Sequence, residues 1–584
     1  MSDQQISALF NLTPRYLRSV NLERDFSDPR ALENYILTPH GNTCLRQLAQ
    51  GLRKGGTERA WRFTGNYGTG KSSFALLVAH WFSGNAGRLK GFVGENLRYD
   101  AFGLASKPRY LPVLVTGARE PMGRSLVRAL VRVMDEQYPR GARLSIVSAM
   151  ERAIDRGSGL ADTDVADWVI QCNARLIRDE KAGGMLIVLD ELGKFLEYAA
   201  FHPQQQDVFL LQKLGEAAAA SGDKPLFLVG LLHQGIDAYA DSLDQATQRE
   251  WEKIAGRFQE IVFNQPLAQI VQLAAAALRV REQLLPDAIR EDAQAAMDAA
   301  LDIGWMGAGA NRRELRMLAQ RIFPLHATVV PILVRIFVRF GQNERSFFNF
   351  LLSNEPFGLQ DFAQRPLTTG QTYRLPDLYD YVRANFGHRL AVRSYRSHWT
   401  EIEAMVESFA TSDPVQLSVV KTVGILNLLN ETDIAPTDKA IQAALGGRSG
   451  IGVQKIRAAV ESLHKNRGIL YRRGVSGSYC LWPHTSVDLE AALQKASKSV
   501  PIVARVGDAL KEFLETRPIV ARRHYIQTGN LRYFDVRYCS ATDLETVALE
   551  KTVADGQIVV ALCENTEQRL AAELEPARDH VVGE

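Results

Sequence analysis

The segment Gly65-Asn66-Tyr67-Gly68-Thr69-Gly70-Lys71-Ser72 has the spacing GxxxxGK[ST], and its residue types are those a polyphosphate demands. A chain of phosphates carries several negative charges, so its cradle must bring many backbone amides close without side chains in the way. Glycine at 65, 68 and 70 permits that approach. Lys71 can reach the β- and γ-oxygens, and the Ser72 hydroxyl can ligate Mg²⁺. Asn66, Tyr67, Thr69 and Ser73 complete the expected binding stretch. Asp190-Glu191 supplies the complementary chemistry. An aspartate after a buried strand can hold the Mg²⁺ shell, and the adjacent glutamate can take the proton of an attacking water, which would turn a binder into a hydrolase. The alternative for this acidic pair is a helix cap. No NKxD segment argues for guanine, so ATP is the expected nucleotide.

These residues work only if a fold positions them. Trp61-Arg62-Phe63-Thr64 reads as a strand, and Ser73 to His80 as a buried helix, so the loop amides would sit at a helix N-terminus. Tyr110 to Thr116 followed by Gly123 to Glu136 is a strand–helix unit. Met185 to Leu189 is a continuous apolar run of the kind buried on both faces of a parallel sheet, with Asp190 and Glu191 at its end. A helix over Gln206 to Ala220 leads to the strand Leu226 to Leu232, which ends at His233-Gln234. A last strand covers Phe258 to Phe263. The alternation predicts an α/β core over 45–265, after an N-terminal adaptor at 1–44. Arg257 stands just before the last strand, as an arginine finger for a neighbouring subunit's nucleotide or as one half of a surface salt bridge.

Residues 266–365 read as a helical lid, and 366–412 as a helical connector. Arg345 in the lid has the reach for a γ-phosphate. Across 413–486, three helices precede two short apolar strands around Gly474 to Gly477, the order of a winged helix-turn-helix. Lys455 and Arg457 lie on its recognition helix, Lys465 and Arg467 follow, and Arg472-Arg473 lie on the wing. They fit double-stranded DNA, or a protein docked on the same module. Residues 498–584 form a small α/β domain whose two strands make a thin sheet, incomplete or completed by a partner. Arg522-Arg523-His524-Tyr525 reads as a solvated charged turn.

At 584 residues, with 46% hydrophobic and 23% charged side chains, the chain has ordinary globular composition and exceeds one core. Its net charge of +3 decides nothing about nucleic acid. The cysteines number five and contain no CxxC pair, which excludes a disulfide framework and a zinc site from the reading. No apolar run approaches the ~20 residues of a membrane helix, and no signal pattern opens the chain. A cytoplasmic protein is expected.

The order of motifs resembles AAA+ ATPases of the origin-recognition and Cdc6-like branch, over roughly residues 45 to 485. The segments Asn21 to Phe26, Leu192 to Glu197 and Gln342 to Ser346 are similar to large prokaryotic ATPases of phage-defence islands, including BREX-type ones. The resemblance implies an AAA+-like parallel sheet, an arginine-finger role for Arg257, a lid-sensor role for Arg345, and a first sensor at His233 or Gln234. It further implies a homo-oligomer or an ATPase partner subunit, a nucleotide-driven switch or motor on DNA, and a setting in antiviral defence with defence-system partner proteins. A replication initiator or loader, and a nucleotide-dependent signalling scaffold, are the alternatives. The interval from Lys71 to Asp190 is longer than a compact core of this type needs, so extra elements must lie between them.

Overall fold

The structure of the chain, a computed structural model, describes residues 4–563 apart from 13–19, 29, 34, 54, 67, 86–96, 140–143, 157–159, 203–206, 240–242, 244, 308, 341–346, 368–371, 391–395, 410–412, 449, 474–476, 482–505, 508–509, 511–513, 515, 549 and 551. It divides into two compact units, Met1–His484 and Thr485–Glu584.

The first unit is built on a parallel sheet of five strands: β1 (Ala60–Thr64), β2 (Tyr110–Thr116), β3 (Gly184–Asp190), β4 (Leu226–Leu232) and β5 (Gln259–Val262), in the order β2-β3-β4-β1-β5. The side-chain period of two sorts each strand between two cores. Trp61, Phe63, Leu186, Val188, Phe227 and Val229 pack with the helix Lys71–Phe82 on one face. Ala60, Val113, Ile187, Leu189 and Leu228 meet the helices Met122–Gln137, Asp162–Arg178 and Asp207–Ala219 on the other. Every residue of β3 and β4 is buried, which is why they read as unbroken apolar runs. Two helices, Ser145–Asp155 and Asp162–Arg178, account for the long interval between Lys71 and Asp190.

After β1 the chain leaves for the far edge at β2, and after β4 it passes over β1 to β5. The connections therefore diverge around β1, and such a switch point opens a crevice at the strands' carboxyl ends. The helix Pro39–Leu52, capped by the Thr38 hydroxyl on Gly41 N at 3.1 Å, runs across the 44/45 boundary drawn from sequence. Among N-terminal residues, Gln5 bridges Pro366 and Phe10 bridges Val280, whereas Glu23 accepts Thr116 N of β2 at 2.9 Å.

The helices from Leu267 onward share one hydrophobic core with the winged helix-turn-helix. That module comprises helices Pro414–Leu429, Asp438–Leu445 and Val453–Glu461 and the antiparallel hairpin β6 (Leu470–Arg472) and β7 (Tyr479–Leu481). Buried Asn427 fastens the hairpin, accepting Leu481 N at 2.8 Å and donating to Tyr479 O at 3.2 Å. Arg374 locks the module to the preceding helices through Ala444 O at 3.0 Å, Gly446 O at 2.9 Å and Asp292 at 3.5 Å.

The second unit holds a sheet of three strands, β10-β9-β8, rather than the two read from sequence. The third is β8 (Ile519–Val520), antiparallel to β9 (Tyr533–Ser540), while β10 (Gly556–Leu562) is parallel to β9. Arg522 to Tyr525 is no turn but the start of a helix, Arg522–Thr528. The sequence pattern also predicts a helix over 567–573, which lies outside the described residues.

Candidate functional site

The loop between β1 and the helix Lys71–Phe82 takes the conformation its glycines allow. Gly68 and Gly70 have φ of 74° and 88°, in the left-handed region, and Gly70 caps the helix. Gly65 lies flush against β5, where an added Cβ would fall 2.6 Å from Phe263 O. Asn264 holds the loop from the β5 side, its Oδ1 accepting Asn66 N at 3.3 Å, and Thr69 Oγ1 donates to Asn66 O at 3.0 Å. Tyr67 lies outside the described residues.

Lys71 is buried and donates to the loop carbonyls of Gly65 and, at 2.7 Å, Asn66. Burial brings its ammonium down to about 8, with the charge of Asp190 pulling the other way. On β3, buried Asp190 accepts the Ser72 hydroxyl at 3.1 Å and the Glu191 amide at 2.9 Å. Burial pushes its carboxyl up to about 6 despite those two donors. The two expected metal ligands, Ser72 and Asp190, thus meet. Hard oxygen donors at a helix N-terminus suit Mg²⁺, which takes few protein ligands and completes its shell with phosphate and water.

Glu191 adopts φ 49° and ψ 39° and starts the helix Leu192–Phe201, an element with no counterpart in the sequence reading. Three glycines press this start onto the sheet end. A Cβ on Gly117 would fall 2.2 Å from Glu191 O, one on Gly193 2.2 Å from the Tyr239 hydroxyl, and one on Gly230 2.6 Å from Leu192 Cδ2. The Glu191 carboxylate is ion-paired with Lys194 one turn later.

His233, at the end of β4, brings Nδ1 to 3.3 Å from Lys71 Nζ. Burial and the charges of Lys71 and Lys194 push its imidazole down to about 3, so the ring is neutral near pH 7 and Nδ1 can accept from the ammonium. Gln234 is exposed. Of the two strand-end residues, His233 is the one brought to Lys71.

Arg257 does not join this cluster. The register Trp61 to Gln259 puts it beyond the amino end of β5, at the other end of the sheet from the loop, where it pairs with Glu216 at 3.3 Å. Arg345 lies outside the described residues. In the winged helix-turn-helix, Lys455 and Arg457 are exposed on either flank of the stripe formed by buried Ile456, Ala459 and Val460. Arg472 approaches Asp438 at 3.8 Å, and Arg473 donates to Asn430 Oδ1 at 3.4 Å. Sequence reasoning misses Asn264, Gly117 and Lys194. Lys194 alone left a trace, since it lies one helical turn from Glu191.

No family model matches the chain, and no curated protein is similar to it. A solved structure, the Aeropyrum pernix ORC2 protein in ADPNP-ADP complexes, is similar at 13% identity, covering 84% of this chain and 99% of that chain, with a TM-score of 0.32. That agreement is too loose to carry the fold assignment, which rests on the sheet itself. Among the described residues no helix is long and apolar enough to cross a membrane.

Proposed function

We propose that the chain binds and hydrolyses ATP at the carboxyl end of its sheet. The observation that carries this reading is the meeting of the two sequence-distant halves: Ser72, on the helix that follows the loop, lies 3.1 Å from Asp190 on β3. The amides of residues 65–73 would hold the phosphates, and Lys71 would exchange the carbonyls of Gly65 and Asn66 for phosphate oxygens. Ser72 and Asp190 would hold Mg²⁺, which supplies neutralisation of charge on the β- and γ-oxygens. Glu191 takes a proton from water as the water oxygen bonds to the γ-phosphorus. The bond from that phosphorus to the bridging oxygen breaks, and ADP leaves with the electron pair. Neutral His233 orients Lys71.

Arg257, at the other end of the sheet from its own cradle, would serve the nucleotide of a neighbouring copy in an AAA+-like oligomer. Lys455 and Arg457, exposed on the two flanks of one helix, would contact phosphates of a duplex backbone. An initiator or loader role and a role in antiviral defence rest on the resemblance of motifs alone.

Lys71→Ala is expected to abolish ATP binding, a loss of at least about 100-fold in affinity. Titration of a fluorescent ATP analogue checks it, and wild-type affinity in the variant would refute the site. Arg257→Ala is expected to leave nucleotide affinity intact and to slow turnover only under conditions where the chain assembles. Equal loss in isolated monomers would assign Arg257 a structural role.

A further inference from the structure

The helix Leu192–Phe201 places a cation in the site. Its first turn is fixed in rotation: Leu192 packs over Gly230, Gly193 lies under the Tyr239 hydroxyl, and the Glu191 carbonyl, pressed against Gly117, accepts Lys194 N at 2.9 Å. From that turn the Lys194 ammonium reaches the Glu191 carboxylate. Its charge also acts, with that of Lys71, on the imidazole of His233. Lys194 is therefore a second cation in the same cluster as Lys71, while Arg257 stands at the opposite end of the sheet.

The present partner of Lys194 is easily given up. Its side chain and that of Glu191 keep 45% and 36% of their exposure, and an ion pair this wet is worth about 0–1 kcal/mol. A terminal phosphate carries more charge than a carboxylate and would lie closer to the desolvated floor of the site, where attraction is stronger. Lysine is a point charge on a flexible stem, so changing partners needs no backbone movement.

We propose that Lys194 is a γ-phosphate ligand that exchanges partners: without a triphosphate it holds the Glu191 carboxylate, and with one it moves to the terminal phosphate and leaves that carboxylate open to the attacking water. The inference rests on the nucleotide reading above and deepens it. A single side chain then distinguishes ATP from ADP.

The test compares wild type, Lys194→Met and Lys194→Arg in affinity for a non-hydrolysable ATP analogue, affinity for ADP, and ATP turnover. Lys194→Met is expected to weaken the ATP analogue about tenfold, as loss of one charge-assisted hydrogen bond does, and to leave ADP affinity within about twofold. Turnover is expected to fall at least about tenfold at saturating ATP, and Lys194→Arg to recover most of both losses. Equal affinities in Lys194→Met and wild type, an equal loss toward both nucleotides, or faster turnover in Lys194→Met would each overturn the inference while leaving the nucleotide reading intact. A wild-type chain that binds neither nucleotide would overturn that reading and the inference with it.

Discussion

At the carboxyl end of the sheet, buried Lys71 bonds to loop carbonyls and to half-buried His233, and buried Asp190 bonds to Ser72 and the Glu191 amide. In the helical block, His326, Arg374 and Asp292 are buried too, but their partners belong to packed helical elements. Arg374 reaches two carbonyls of the winged-helix module as well as Asp292, and His326 holds Thr328 Oγ1 at 2.7 Å. Both groups have perturbed proton affinities, since burial lowers those of Lys71, His233, His326 and Arg374. Perturbation alone therefore does not mark a working site. What separates the two is whether the partners can be exchanged. Lys71 can trade loop carbonyls for phosphate, whereas Arg374 ties together two packed elements through the carbonyls of Ala444 and Gly446.

That difference predicts opposite phenotypes. Arg374→Met leaves Asp292 and the carbonyls of Ala444 and Gly446 without their donor, and is expected to cost roughly 3–5 kcal/mol of stability. Urea denaturation measures it, and nucleotide affinity per folded molecule should stay unchanged. Lys71→Ala should show the reverse, with stability moved by less than about 1 kcal/mol. A large loss of stability there, or of affinity in Arg374→Met, would erase the distinction.

A smaller effect follows from His326. Burial, with the nearby charge of Arg374, holds its imidazole well below the usual histidine value, whereas the unfolded chain titrates near 6.5. The unfolded state takes up a proton as pH falls below about 6.5 and the folded state does not. Stability contributed by the neutral ring is therefore present above that pH and lost below it, at up to about 1.4 kcal/mol per pH unit. Denaturation midpoints at pH 7.5 and 5.5 should differ more in wild type than in His326→Asn, whose amide can keep the bond to Thr328. Equal differences would show that His326 is not buried neutral.

Much of this was legible from residues alone, for physical reasons that vary by element. The phosphate cradle can be read because polyphosphate dictates both residue type and spacing from Gly65 to Ser72. β3 and β4 can be read because burial on both faces leaves no polar position in the run. The helix Leu192–Phe201 escapes because it begins directly from the strand, with Glu191 in a left-handed conformation that makes no side-chain cap hydrogen bond. β8 escapes because two residues carry no periodicity, and its place in the sheet depends on pairing with β9. Arg374 and Asn264 act through partners distant in the chain, Ala444 and Asn66, so no local pattern identifies them. The choice between His233 and Gln234 turns on which neighbour the strand end aims at Lys71, and adjacent polar residues look alike in sequence.

The central claim is that Asp190 and Glu191 complete a hydrolytic site with the loop at 65–72, and Glu191→Gln tests it most directly. The amide keeps the size of the side chain but cannot take a proton. With Mg²⁺ and ATP, the account predicts that the variant binds ATP at least as tightly as wild type and turns it over about 100-fold more slowly or worse. Turnover equal to wild type in Glu191→Gln would contradict it.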